Sequence, residues 1–125
     1  MPATPTIRIS RAYEVAKRDR GYRVLVDRIW PRGVTKEVLA LDEWPRDLAL
    51  APSTQLRQWF NHEPRRWEGF RKRYFRELDA QAEIVAALLS RAKRRPLLLI
   101  YGARDEEHNN AVALRDYLIA LAMNA

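Results

Sequence analysis

The chain contains no cysteine. That absence excludes disulfide bridges, thiolate nucleophiles and zinc sites built on sulfur, and it fits a reducing compartment. Glycine is scarce, with four in 125 residues. Those four form neither a dinucleotide-binding fingerprint nor a Walker loop, and a serine nucleophile elbow is also missing. No apolar run approaches the length of a membrane span. Met1 to Ser10 carry no apolar stretch of signal-peptide length. The expectation is a cytoplasmic protein with no membrane partner. Histidine occurs only at His62 and His108.

What is abundant is arginine. Lysine and arginine total 23, only four of them lysine, and the formal net charge is +7. Arginine presents a planar fork suited to phosphate and carboxylate, so anionic partners are one reading. A genome whose base composition favours arginine codons is the other. With 47% hydrophobic residues and 125 residues in all, the chain has the size and core of one domain, residues 1–125.

Hydrophobic patterning places the elements. Thr6 to Arg11 alternates apolar and polar residues, as a short strand does. Arg23 to Trp30 reads as a second strand, ended by Pro31 and Gly33. Thr35 and Ser53 are set to cap short helices, the second running to Phe60. Pro64 suits a first helical turn. Trp67, Phe70, Tyr74 and Leu78 then recur at helical spacing, and Ile84, Val85, Leu88 and Leu89 continue the pattern to about Arg91 with room for a bend near Asp79. Leu97 to Tyr101 is a third strand, apolar throughout and therefore central. A last helix is expected from about Glu107 to Met123, with Ala111, Leu114, Leu118 and Leu121 as its stripe. The fold class is α/β: a small single-domain sheet of about three mainly parallel strands covered by helices. The link between the first two strands is about a dozen residues, the lower limit for a parallel crossover, so an antiparallel pairing there stays open.

The third strand stops in Gly102 and a dense polar run, Ala103 to Asn110. Open α/β sheets place ligands at the C-terminal ends of their strands. Arg104 is placed to approach such a ligand. Asp105 or Glu106 can cap the last helix, but capping accounts poorly for His108, Asn109 and Asn110. His108 is a general acid or base by type, and the two asparagines suit a substrate amide or hydroxyl. The second strand ends similarly, in Asp27, Arg28, Ile29, Trp30, Pro31, Arg32 and Gly33. On a strand, Asp27 and Ile29 face one side and Arg28 and Trp30 the other. Arg28 and Arg32 then grip a phosphate or carboxylate, with Asp27 as base, metal ligand or orienting group. A buried Asp–Arg pair that fixes the sheet is the competing account. His62 lies in a turn between aromatic-rich helices and joins the site only if that turn folds over the strand ends.

Arg23 to Val34, Leu41 to Trp44, Ala51 to Ser53, Trp59 to Pro64 and the run from Tyr101 to Asn110 together resemble the YeaO-like bacterial family, a group of unknown function. The resemblance covers nearly the whole chain. It implies a small α/β fold and a set of characteristic residues: Asp27, Arg28, Trp30, Pro31, Arg32, Gly33, His62, Tyr101, Gly102, Asp105, His108, Asn109 and Asn110. It supplies no reaction and leaves the cofactor unknown.

Two functions follow from these residues. In the first, a pocket at the strand C-termini binds a small anionic ligand, phosphate- or nucleotide-like, with hydrolysis or transfer as the natural chemistry if the protein is an enzyme. Asp27 and His108 are the catalytic candidates. Arg28, Trp30, Arg32, Tyr101, Arg104, Asp105, Asn109, Asn110 and His62 are the binding candidates. Asp27, Glu107 and His108 also have the ligand types of a divalent metal site. In the second, the chain is a non-enzymatic nucleic-acid-binding module. It uses the basic helix 57–76, where Arg57, Arg65, Arg66, Arg71, Lys72, Arg73 and Arg76 oppose only Glu63 and Glu68, and the turn 91–95.

Overall fold

The computed structural model describes residues 5–15, 19–45 and 50–124. Its sheet has three strands: β1 (Ile7–Arg11), β2 (Tyr22–Leu25) and β3 (Leu97–Tyr101). Their order is β1-β3-β2, and both outer strands run parallel to β3, with Ile9 and Val24 each opposite Leu99. β1 and β2 are therefore not neighbours, and the antiparallel pairing left open above does not form. β3 takes the centre because it can be buried on both faces: all five of its residues are buried.

Alternation along β3 divides the core in two. Leu97, Leu99 and Tyr101 join Ile7 and Val24 against the helices α2 (Thr54–Phe60), α3 (Trp67–Asp79), α4 (Ala82–Arg94) and α5 (Asn110–Met123). Leu98 and Ile100 face the other way, with Leu25 and Ala12. That side is covered by the short helix α1 (Lys36–Leu39) through Leu39, and by Trp30, Val34, Leu41 and Trp44. The expected helical stripe is present in Phe70, Tyr74 and Leu78, all buried. The possible bend near Asp79 is a full break, since α3 ends there and α4 starts at Ala82. In α5, Leu114 and Leu118 are buried but Leu121 is exposed, because the helix has run past the sheet at that point.

Capping follows the sequence. The Thr35 side chain accepts the Val38 N–H, and Ser53 Oγ accepts the Leu56 N–H at 3.1 Å. Ser53 also donates its hydroxyl to Glu77 at 2.6 Å and its backbone N–H to the same carboxylate at 2.8 Å. This pins the start of α2 to α3. Ser53→Ala removes the cap and one arm of the link, so chemical denaturation should show a loss of about 1 kcal/mol. A change near zero would mean that the cap is replaced by water.

Two boundaries differ from the sequence reading. β2 ends at Leu25, not Trp30, so Asp27, Arg28, Ile29 and Trp30 do not alternate across a strand. The last ladder bond runs from the Val26 N–H to the Ile100 carbonyl, after which the chain turns away. α5 starts at Asn110 rather than Glu107, and its cap is Asn109, whose side chain accepts the Val112 N–H at 3.0 Å. Asp105 and Glu106 therefore do not cap it. Asp105 forms a turn of its own.

Candidate functional site at the strand C-termini

Asp27 ties three elements together. Its Oδ2 accepts the Gly102 N–H at 2.8 Å, just beyond β3. Its Oδ1 accepts the Asn110 side-chain N–H at 3.1 Å, at the start of α5. The same Asn110 nitrogen donates to the Val26 carbonyl at 2.9 Å, and the Trp44 indole N–H donates to the Asp27 carbonyl at 2.9 Å. Gly102 lets the two elements approach closely, since a Cβ there would come 3.1 Å from Asp27 Oδ2, tighter than an ordinary contact. Burial pushes the Asp27 carboxyl above its ordinary value. The hydrogen bonds from Asn110 and Gly102 and the charges of Arg57 and His62 pull against that shift.

Beside this junction lies a cavity of about 280 Å³. Asp27, Arg28, Arg57, His62, His108 and Asn110 supply its main polar lining, and Ile29, Ala51, Pro52, Phe60, Phe70 and Ala103 its apolar wall. Arg28 makes one long hydrogen bond, 3.4 Å to the Pro52 carbonyl, and its Nε is buried without an acceptor. Among the described residues, no carboxylate forms a salt bridge with it.

His62 reaches the cavity from a left-handed turn. Asn61 has φ 49° and His62 φ 53°. Asn61 is the ordinary left-handed end of α2, but a second such residue in succession is strained. His108 is held from behind. Its Nδ1 lies 2.9 Å from Asp105 Oδ2, and Asp105 Oδ1 accepts the N–H groups of Glu107 at 2.9 Å and His108 at 3.0 Å. The Glu107 N–H, ahead of the contacts with His108, holds the Asp105 carboxyl below its ordinary value. An ionised Asp105 puts the proton on Nδ1, so Nε2 is an acceptor when the ring is neutral and a donor when it is charged. The ring also meets the Trp67 ring edge-on at 5.3 Å.

The cavity thus brings together Asp27, Arg28, His62, His108, Asn109 and Asn110 from the sequence-derived set. Five others lie outside its lining. Trp30 donates to the Val34 carbonyl at 2.6 Å and packs edge-on against Trp44 on the far side of the sheet. Arg32 is exposed, and its carbonyl accepts the Tyr13 hydroxyl. Arg104 is exposed as well. Tyr101 is buried in the core, and burial raises its hydroxyl pKa. Asp105 acts on His108 from outside. Asn109 lines the cavity but is committed to the fold: it is 3% exposed, caps α5 and donates to the Asp105 carbonyl.

Arg57 is the polar residue that the sequence reading did not assign to this site. It was counted with the basic face of the helix, although it sits one turn before the left-handed Asn61–His62 corner that returns the chain to the cavity. Glu107 is exposed and outside the lining. Among the described residues, no group of three histidines or carboxylates is arranged to hold a metal ion.

The basic helix divides into separate contacts. Arg65 pairs with Glu63 at 2.9 Å, and Arg66 donates to the Trp59 carbonyl at 2.5 Å. Arg71 pairs with Asp116 at 3.5 Å and Glu68 at 3.6 Å. Arg73 lies 3.7 Å over the Trp59 ring. In the 91–95 turn, Arg91 stacks over Tyr22 at 4.9 Å, and Arg95 donates to the Arg20 carbonyl.

Comparison with known proteins finds relatives over nearly the whole chain. The family described as "Inactive DUF488-N3 subclade" matches residues 6–124. The uncharacterized protein YeaO of Escherichia coli K12 is 42% identical over 115 residues, covering 92% of this chain and 98% of that protein. The uncharacterized protein Rv3073c of Mycobacterium tuberculosis H37Rv is 37% identical over 112 residues, covering 90% of this chain and 92% of that one. No solved structure matches the chain. With a family match across 6–124 and relatives aligned nearly end to end, the chain belongs to the inactive DUF488-N3 subclade, the family of the YeaO-like proteins of unknown function.

Proposed function

We propose that the cavity at the strand C-termini binds a small anionic ligand. The observation that carries this reading is Arg28. A guanidinium has five N–H donors. Here one makes a long bond, Nε is buried with no acceptor, and no described carboxylate neutralises the group. A partly buried cation without a counter-ion is costly unless something else supplies the charge. Arg57, His62 and His108 line the same cavity, so an anion there meets a second guanidinium and two imidazoles besides Arg28. At about 280 Å³ the space is at the small end for ligand pockets and admits one small molecule.

The description of the matched family as an inactive subclade favours binding over hydrolysis. Nucleic-acid binding through residues 57–76 has less support, because the expected single basic helix is broken into α2, a 3-10 turn at Pro64–Arg66 and α3, and Arg65, Arg66, Arg71 and Arg73 are each engaged within the fold.

Calorimetric titration with inorganic phosphate tests the reading. Phosphate should bind saturably. Arg28→Ala should weaken it at least about ten-fold, the worth of one charge-assisted contact. Arg104→Ala, at an exposed position outside the cavity, should leave it unchanged. Absence of saturable binding, or equal weakening by both variants, would sink the proposal.

A further inference from the structure

The polar lining of the cavity holds two chemically different sets of groups. One is built on the guanidinium groups of Arg28 and Arg57, with the imidazoles of His62 and His108 in the same lining. The other is accepting. Asp27 lines the cavity, and each of its oxygens takes one protein hydrogen bond, leaving lone pairs over. Asn110 is turned so that its amide nitrogen serves Val26 and Asp27. Its Oδ1 is left without a donor among the described residues.

Asp27 forms a salt bridge with neither Arg28, its chain neighbour, nor Arg57, although the charges of Arg57 and His62 are felt at its carboxyl. The hydrogen bonds to Gly102 and Asn110 hold the carboxylate toward the backbone junction and away from a pairing geometry. A bare anion would satisfy the guanidinium groups and leave the accepting oxygens of Asp27 and Asn110 without donors, with a carboxylate repelling it. A molecule with an anionic group at one end and hydroxyl or N–H donors at the other would satisfy both. Asn110 offers its oxygen rather than its nitrogen. The nitrogen donates to the Val26 carbonyl and to Asp27 Oδ1, so it cannot turn to the ligand without abandoning both.

We infer that the ligand of this cavity is a polyhydroxylated phosphate of sugar-phosphate type, its phosphate toward Arg28 and Arg57 and its hydroxyls donating to Asp27 and Asn110. This inference rests on the anion-binding reading above and adds the identity of the second pole. The apolar wall of Ile29, Ala51, Pro52 and Ala103 then lies beside the carbon skeleton of the sugar.

The test compares three probes on the unaltered chain: inorganic phosphate, n-butyl phosphate and ribose 5-phosphate. Butyl phosphate matches the charge and adds carbon without hydroxyls, so it separates apolar contact from hydrogen bonding. Ribose 5-phosphate is expected to bind at least about ten-fold more tightly than butyl phosphate, as suits hydroxyl bonds to a carboxylate and an amide oxygen. Its hydroxyl-bearing end should shift the Asn110 side-chain amide resonances, which butyl phosphate leaves in place. Equal affinity for the two esters overturns the two-pole inference while leaving anion binding intact. Failure of all three probes to bind overturns both.

Discussion

Arg23→Ala lowers the free energy of unfolding by about 3 kcal/mol, from two stranded carbonyls and the lost packing of a buried stem. Arg23 lies in the middle of β2 and is 6% exposed. Its guanidinium donates to the Leu39 carbonyl at the end of α1 and to the Asp19 carbonyl, each at 3.0 Å. Its backbone N–H donates to the Asp42 carboxylate at 2.8 Å, and its carbonyl accepts from the N–H groups of Asp42 and Glu43. One residue therefore ties the cover of the smaller core to the sheet. Alanine keeps the backbone bonds and removes those made by the side chain. Urea denaturation should show a lower midpoint at unchanged slope. Arg23→Lys should recover part of the loss, because three donors on a flexible stem reach only some of the acceptors. A loss below about 1 kcal/mol would show that water replaces the guanidinium at both carbonyls.

Asp27→Asn costs about 2 kcal/mol, and the cost changes with pH. Both carboxylate oxygens accept from fixed N–H donors. An asparagine offers one oxygen and one nitrogen, so one of Gly102 and Asn110 faces a donor instead of an acceptor. The pH dependence follows from the raised folded-state pKa. Between the ordinary carboxylate value of 3.8 and the raised one, the native state binds more protons than the unfolded state, so the stability due to this group falls as pH rises. The contribution is complete below 3.8 and diminished above the folded value. Asparagine does not titrate. The difference between wild type and variant should therefore narrow as pH rises through that window. A difference that widens would mean that the anion is stabilised by its hydrogen bonds more than it is penalised by burial.

How far the chain could be read in advance depended on whether a boundary is made locally. β3 was readable to the residue, because an unbroken apolar run between Pro96 and Gly102 allows one interpretation. α2 was equally clear, with a capping serine at one end and Asn61-His62-Glu63-Pro64 at the other. β2 was overextended to Trp30, since Val24, Leu25 and Val26 continue smoothly into Ile29 and Trp30. What ends the strand is the Asp27 carboxylate turning to an N–H 75 residues away, and no local pattern announces that. The start of α5 was misplaced for a related reason. Asp105 folds its own turn around Glu107 and His108, using the side chain that a helix cap would use. At the cavity, Asp27, Arg28, His108 and Asn110 were visible as polar residues at strand ends. Arg57 was hidden by its company in the sequence, since it was counted with the basic residues that run on to Arg76, although it is the one arginine of α2.

The sheet order carries a consequence for biosynthesis. Among the described residues, β1 pairs with β3 alone, β2 pairs with β3 and bridges from Val24 to Glu43, and β3 is the last strand in sequence order. Until Leu97–Tyr101 leaves the ribosome, the two outer strands lack the strand that joins them, and the apolar faces of α2, α3 and α4 have no sheet to cover. At roughly 5–20 residues per second, the nascent chain spends several seconds in that condition. Formation of the sheet thus waits on its central strand, with a rate set by bringing distant segments together.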